Sequence, residues 1–368
     1  MANTVMSLFS VVFLCITAAQ GRKVFQAIPS SVINHDFHVD GICQTAVGTR
    51  GYPCEEHTVE TDDGYILSLQ RLPAGRSGLK ANKPPVLLQH GLFCDALTWL
   101  VNPPEESLGF VLADSGYDVW VANTRGTISS RGHRSLSPND ADYWNWSWDE
   151  LASYDLPAFV KYVHNNTGQK LHYVGHSLGT LMAFAAFSRG QVYDMLRSAA
   201  LLSPIAHLRL LSSPVARVFA DTLSAENLNL IGVHEFIPNG EAATRLVQGL
   251  CNTLKIDCSK ILTFITGTIA KYDYGNLIQN MQHYGKPFPP RYDLTTIPNE
   301  FPLFLSYGGL DSLSEVKGVQ ILLNDLKNHD PNKLVVLFNP EYAHVDFFIA
   351  TNVRQVIYDP IIAFFQVN

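Results

Sequence analysis

Five residues, Gly175-His176-Ser177-Leu178-Gly179, constrain this chain more than any other stretch. They follow residues 170–174, an apolar, β-branched and aromatic run that reads as a buried strand. They precede residues 180–187, which read as a helix packed on two sides. A strand turning straight into a helix through G-x-S-x-G makes a tight, strained elbow and lifts the serine hydroxyl above the sheet edge. Side chains at Gly175 or Gly179 are expected to collide with the neighbouring strand and helix. The pentapeptide alone is a weak signal, since it can also be a plain strand-to-helix turn. The flanking strand and helix make Ser177 a candidate nucleophile.

The surrounding chain repeats the strand-helix rhythm. Residues 85–91, 117–123, 198–205, 302–309 and 334–338 read as strands, and from about 170 onwards the strands read as buried. Residues 105–116, 148–164 and 314–328 read as helices, with Pro157 a kink or restart, and a last helix lies within 346–365. Residues 55–61 and 65–72 alternate polar and apolar around Asp62-Asp63-Gly64, a hairpin signal. Residues 22–54, with Pro29 and Pro53, read as irregular. The pattern predicts an α/β fold, a mostly parallel sheet with helices on both faces. It breaks at about 206–300, where apolar helical pieces (208–223, 242–254, 261–270) give way to a polar, Pro-rich run, 272–298. This stretch reads as a mainly helical lid inserted into a core formed by 22–205 and 301–368.

A serine hydroxyl needs a base within hydrogen-bond reach and a carboxylate to orient that base. Asp311 follows the strand that ends in Tyr307-Gly308-Gly309, and His344 follows the final strand. The chain order Ser, Asp, His is that of the α/β-hydrolase plan, which places all three at one sheet edge. The rivals are weaker. His329 and Asp325 belong to the opposite end of the sheet. The His176 side chain should leave the turn away from the serine, and Asp346 reads as a helix cap. A turn aspartate and a surface-loop histidine are the plain alternatives for Asp311 and His344. The oxyanion of an acyl-transfer intermediate also needs donors. The backbone N–H groups of Leu178 and of Leu92, after the strand ending in His90-Gly91, are the candidates.

Composition limits the partners. Charged residues are 16% and hydrophobic residues 46%, and low charge predicts apolar surface at a pocket or interface. The net charge of −7 gives no basic footprint, so nucleic acid is a poor partner. Residues 5–19 are uncharged and apolar, and Arg22-Lys23 ends the run. That suits a cleaved secretory signal peptide over 1–21, since a membrane span needs about 20 residues. No other stretch is apolar enough to span a membrane, so none remains once the signal is removed. Cys43 with Cys54, and Cys251 with Cys258, could each close a short loop in an oxidising compartment, leaving Cys94 free. Alternatively all could be buried thiols. No C-x-x-C spacing suggests a metal site, and no cofactor is implied. Asn145-Trp146-Ser147 and Asn165-Asn166-Thr167 are glycosylation sequons. The second should be exposed; the first is crowded by tryptophans and reads as buried and unused.

Together these stretches resemble the acid lipase family, the gastric and lysosomal acid lipases and especially the plant triacylglycerol lipase 2-like proteins. The resemblance rests on Gln89-His90-Gly91-Leu92, Asn123-Thr124-Arg125-Gly126, Ser135-Leu136-Ser137-Pro138 and Trp146-Ser147-Trp148-Asp149-Glu150. It continues through Tyr154-Asp155-Leu156-Pro157, the Gly175–Gly179 motif, Gly308-Gly309-Leu310-Asp311 and His344-Val345-Asp346-Phe347. It runs from roughly residue 35 to the end. It implies an α/β-hydrolase core with a lid and export to an extracellular, vacuolar or lysosomal space. It also implies hydrolysis of neutral lipid esters, transient contact with a lipid surface, and a triad of Ser177, Asp311 and His344.

Two departures stand out. Leu178 replaces the Gln usual in animal members. The segment before Ala270-Lys271-Tyr272-Asp273-Tyr274 is short, as if the lid had lost about one helix. The expectation is therefore a secreted serine lipase or esterase acting on triacylglycerol or steryl esters. The alternatives are an inactive protein with a shortened lid, a short-chain esterase or an acyltransferase.

Overall fold

The computed structural model describes residues 41–206, 269–274 and 277–368. The expected signal peptide over residues 1–21 and most of the expected lid lie outside the described residues. Cys251 and Cys258, expected as a second disulfide pair, also lie outside them.

The described strands form one sheet of nine. They are β1 (Glu55–Glu60), β2 (Tyr65–Leu72), β3 (Lys83–Gln89), β4 (Tyr117–Ala122) and β5 (Gly132–His133), then β6 (Leu171–His176), β7 (Leu196–Leu202), β8 (Leu303–Gly308) and β9 (Leu334–Asn339). The order is β1-β2-β4-β3-β6-β7-β8-β9, with β5 paired to β2. The β1–β2 hairpin, expected from its alternating pattern, is antiparallel and sets Glu55 opposite Arg71. From β4 through β9 every pairing along this order is parallel.

Parallel strands need helical crossovers, and these cover both faces. Successive side chains on a strand point to opposite faces. Leu87 accordingly joins one apolar core, while Val86 and Leu88 join the other. The first core packs α2 (Leu156–Thr167) and α3 (Leu178–Ser188); the second packs α1 (Leu108–Asp114) and α6 (Asp359–Gln366). Helix α3 is buried from Leu178 to Phe187, in keeping with its unbroken run of apolar and small residues. The remaining described helices of this size are α4 (Leu277–Tyr284) and α5 (Val316–Asp325).

Pro157, read as a kink or a restart, does not restart a helix: helical dihedrals continue from Leu151 through Asp155 and Leu156 into α2, and a π-helical segment precedes the proline. A turn at Trp148–Glu150 opens with a capping box between Ser147 and Glu150. The π-helical segment, Leu151–Asp155, follows, with the Leu156 N–H bonded to the Leu151 carbonyl, and Pro157, which has no N–H to give, comes directly after it at the start of α2. Gly168, at φ 66°, closes α2.

Four local expectations are corrected. Residues 43–50, read as irregular, form helical turns stapled by the Cys43–Cys54 disulfide, with Cα atoms 5.3 Å apart. The polar run 272–298 contains α4. Its polar Asn280 is buried and satisfied, accepting from the Tyr274 N–H and donating to Asp273 and to the Pro287 carbonyl. Strand β9, read as buried, lies at the end of the sheet order and exposes Val335, Val336 and Phe338. Asn145 is exposed between the inward-facing Trp144 and Trp146, while Ser147 of the same sequon is buried. Asn165 is exposed as expected. Of the expected disulfides, the described residues therefore contain Cys43–Cys54, with Cys94 free; the Cys251 to Cys258 pairing is not among them and stays an expectation.

Candidate active site

The parallel register brings the strand ends together at one edge. Gln89 at the end of β3 lies opposite Gly175 of β6, and His176 lies opposite Leu202 of β7. Gly308 of β8 lies opposite Asn339 of β9. In open α/β sheets the carboxyl ends of the strands are where ligands bind.

Ser177 sits between β6 and α3 with φ 54° and ψ −114°, an unusual conformation for a residue with a side chain. Its N–H donates to the Leu202 carbonyl at 3.0 Å. The turn is tight enough to require both flanking glycines. A Cβ on Gly175 would lie 2.8 Å from the Gly179 backbone, and one on Gly179 would lie 2.7 Å from the Gln89 carbonyl oxygen.

The three triad candidates meet in a continuous line. The Ser177 hydroxyl donates to His344 Nε2 at 2.8 Å. The His344 Nδ1–H points at both oxygens of Asp311, each at 3.0 Å. Asp311 Oδ1 also accepts the N–H groups of Leu313 and Ser314, at 2.9 and 2.7 Å. All three residues are buried. Burial alone would push the Asp311 carboxyl up; the His344 charge and hydrogen bond, with the two N–H donors, outweigh it and hold its pKa below the ordinary aspartate value.

The rivals stand elsewhere. His329 is buried with its Nε2 at 2.8 Å from the Phe301 carbonyl, just before β8 and a strand's length from the edge that carries Ser177. Asp325 is the last residue of α5. Asp346 accepts the Ala343 N–H at the first turn of a short helix, Asp346–Ile349. His176 is turned away from the serine hydroxyl. Its Nε2–H donates to the His344 backbone carbonyl at 2.8 Å.

Of the two expected oxyanion donors, Leu178 directly follows the serine in the chain, and Leu92 follows a glycine packed against it. Leu178 is the first residue of α3, so its N–H has no intrahelical acceptor. Leu92 follows Gly91, whose backbone is packed so close that a Cβ there would lie 3.0 Å from the Ser177 Cβ.

Sequence reasoning missed what orients this loop. The His90 Nδ1–H donates to the Gly91 carbonyl at 2.7 Å, which fixes the peptide plane carrying the Leu92 N–H. The Thr124 N–H donates to His90 Nε2 at 3.2 Å and so selects that tautomer. Burial lowers the His90 pKa to about 4, keeping the ring neutral. The signal was present in His90-Gly91 and Asn123-Thr124-Arg125-Gly126, but only the fold shows that the two stretches touch.

A second missed arrangement supports the same loop. Arg125 is fully buried between Asp155, at 2.7 Å, and Asp63, at 2.6 Å, with its guanidinium 3.8 Å above the Tyr65 ring. Burial opposes the Arg125 charge, but Asp155 and Asp63 overcome that opposition and raise its pKa.

Comparison with known proteins agrees with this architecture. The family profile described as alpha/beta hydrolase fold matches residues 84–344, and that of a partial alpha/beta-hydrolase lipase region matches residues 43–103. Triacylglycerol lipase 2 of Arabidopsis thaliana is 42% identical over 366 residues, covering 89% of this chain and 88% of its own. Gastric triacylglycerol lipase of Rattus norvegicus is 34% identical, covering 85% of this chain and 88% of its own. Among solved structures, a Pyrococcus furiosus esterase shares the fold, with a TM-score of 0.52 at 16% identity over 87% of this chain and 94% of that one. The chain belongs to the α/β-hydrolase fold family and, within it, to the acid-lipase group that includes the plant triacylglycerol lipases.

Proposed function

We propose that this chain is a carboxylic ester hydrolase that cleaves neutral lipid esters, triacylglycerol foremost, through an acyl-enzyme on Ser177. The observation that carries the reading is the unbroken line from the Ser177 hydroxyl through His344 to Asp311. Relatives named for triacylglycerol hydrolysis supply the substrate class.

In this mechanism His344 Nε2 takes the Ser177 proton as Oγ attacks the ester carbonyl carbon. The carbonyl oxygen becomes an oxyanion facing the Leu178 and Leu92 N–H groups. Asp311 keeps the imidazole in the required tautomer and stabilises the imidazolium. Collapse of the intermediate expels the alcohol, which takes the proton from His344. Water, deprotonated by the same nitrogen, then attacks the acyl-serine, and collapse breaks the acyl–Oγ bond, with His344 returning the proton to Ser177 Oγ as the fatty acid is released.

Residues 206–300 are proposed as the lid. Its returning part is tied to the core at Asp149, which accepts the Tyr272 N–H at 2.9 Å and the Tyr284 and Tyr292 hydroxyls at 3.0 and 2.7 Å. Export through a leader over residues 1–21 suits the Cys43–Cys54 disulfide, which is characteristic of oxidising compartments.

The test is hydrolysis of p-nitrophenyl esters of graded chain length by the secreted chain and by Ser177→Ala. Turnover should rise with chain length, and the alanine variant should lose about 10⁴–10⁶ in kcat. Activity on short esters alone would sink the lipid part of the reading. A folded protein without serine-dependent turnover would sink it all.

A further inference from the structure

His176 lies within the elbow yet makes no hydrogen bond to the Ser177 hydroxyl. It is 2% exposed, and its Nε2 lies 2.8 Å from the backbone carbonyl of His344. A carbonyl oxygen can only accept, so Nε2 carries the proton and Nδ1 is left as a bare acceptor. Nδ1 is buried and has no hydrogen-bond partner among the described residues. An unpaired buried acceptor costs about 1–3 kcal/mol, so a leucine or methionine of similar volume would avoid that cost. The nitrogen that is bonded is therefore the one to explain.

The bonded nitrogen fixes the base to the strand that carries the nucleophile. His344 sits in a loop after β9, a strand at the end of the sheet order with an exposed apolar side. Its ring must reach Ser177 Oγ at 2.8 Å and Asp311 at 3.0 Å together. Two donors hold its backbone carbonyl: His176 from the end of β6, and more weakly the Ser203 hydroxyl, at 3.4 Å, from the end of β7. The His176 and His344 rings lie 4.9 Å apart, and Phe348 packs edge-on against His176 at 5.1 Å. The residue next to the nucleophile thus fixes the place of the base.

We infer that His176 is a positioning residue for ester cleavage, holding His344 in register with Ser177 through the Nε2–H to carbonyl bond. The inference rests on the ester-hydrolase reading above. Misplacing a reacting group by about 1 Å can cost about 10²-fold in rate, so losing this anchor should act on kcat rather than on substrate binding.

The experiment uses the full chain and two readouts: kcat and KM on a p-nitrophenyl ester, and the rate at which diethyl p-nitrophenyl phosphate phosphorylates Ser177 with loss of p-nitrophenolate. His176→Leu should lower kcat and the phosphorylation rate together by about 10–100-fold, with KM within about two-fold. His176→Gln, whose side-chain N–H can reach the same carbonyl, should recover most of both. His176→Asn, one bond shorter, should not. If the leucine variant does not fold, the Gln–Asn contrast decides the matter. An undiminished leucine variant, a glutamine variant as slow as asparagine, or an effect on KM alone would overturn the inference while wild-type turnover upholds the ester-hydrolase reading. Wild-type protein that neither turns over esters nor is phosphorylated would overturn both.

Discussion

The Gly91 backbone is packed directly on Ser177: a Cβ added to Gly91 would lie 3.0 Å from the Ser177 Cβ and 3.1 Å from His176 Nδ1. In the proposed mechanism the loop after β3 offers the Leu92 N–H to the oxyanion, and this close approach sets where that loop lies. Gly91→Ala should push the loop away and with it the proposed oxyanion donor, the Leu92 N–H. Removing such a donor costs about 10²–10³ in kcat. The variant should keep its KM and its unfolding midpoint near wild type, as steady-state kinetics and urea titration can check. A loss in KM with kcat unchanged would contradict the assignment of Leu92.

The loop that carries His344 crosses the end of β8 just as closely. A Cβ on Gly308 would overlap the Tyr342 carbonyl oxygen, and one on Gly309 would lie 2.5 Å from that of Pro340. Both obstacles are backbone atoms and cannot swing aside. Gly308→Ala should therefore destabilise the fold by at least the upper end of the about 1–3 kcal/mol usual for overpacking. Urea denaturation would show it as a lower midpoint. Activity should fall further than stability, because the displaced segment leads to His344.

Arg125 is an all-or-none element of the core. Its guanidinium is shared between Asp155 and Asp63, and no part of its side chain is exposed. Arg125→Met would leave the fully buried Asp155, and the partly exposed Asp63, without a counter-charge; orphaning a buried charge costs about 3–5 kcal/mol, and Asp155 should carry most of it. Adding Asp63→Asn and Asp155→Asn should recover much of the loss, since the orphaned charges would be gone. A triple variant no more stable than Arg125→Met, by denaturant titration, would show that packing on Tyr65 is what matters.

Some of this was legible in the sequence and some was not, for physical reasons. The strands were legible because parallel strands buried on both faces are written as unbroken apolar runs, as in Val86-Leu87-Leu88. The elbow was legible because close backbone approach at Gly175 and Gly179 tolerates no side chain. Strand β9 misled because an edge strand can use the same β-branched and aromatic letters as a central one. Helix α4 was hidden because its buried Asn280 is satisfied by hydrogen bonds that no periodicity shows. That His176 turns away from the serine was legible; its partner, the His344 carbonyl, and the Thr124 N–H that sets the His90 tautomer lie far off in the chain and were not.

Asp149 is the junction between the core and residues 272–292. It takes one backbone and two phenolic hydrogen bonds, and burial raises its pKa despite the Tyr292 hydroxyl and Tyr272 N–H. Asp149→Ala should free that segment while leaving the sheet intact. Limited proteolysis should then cut within 270–292 faster than in wild type, with little change in the far-ultraviolet circular dichroism. Tyr292→Phe, which removes a single hydroxyl, should show an intermediate rate; a wild-type cutting rate in both variants would rule out the tether.

His172 gives the chain a measurable acid sensitivity. It lies in β6 with Nδ1 at 2.7 Å from the Ser198 hydroxyl and its ring stacked on Phe365 at 4.2 Å. Burial, with a smaller contribution from Arg197, lowers its pKa from 6.5 to about 3. The unfolded chain therefore binds this proton first, and the stability contributed by the neutral ring is complete above 6.5 and lost as the pH falls towards about 3. Each such proton changes stability by about 1.4 kcal/mol per pH unit inside that window. Other groups pull the opposite way, for burial raises Asp95 to about 6 and its folded form gains a proton early. The comparison must therefore be made against a variant. His172→Asn keeps a polar atom near Ser198 but cannot titrate. Its stability relative to wild type should improve by about 1.4 kcal/mol for each pH unit below 6.5 and level off near 3, as urea titrations across that range would show. A difference that stays flat from neutral to acid pH would mean that the ring is protonated, or accessible to water, in the folded protein.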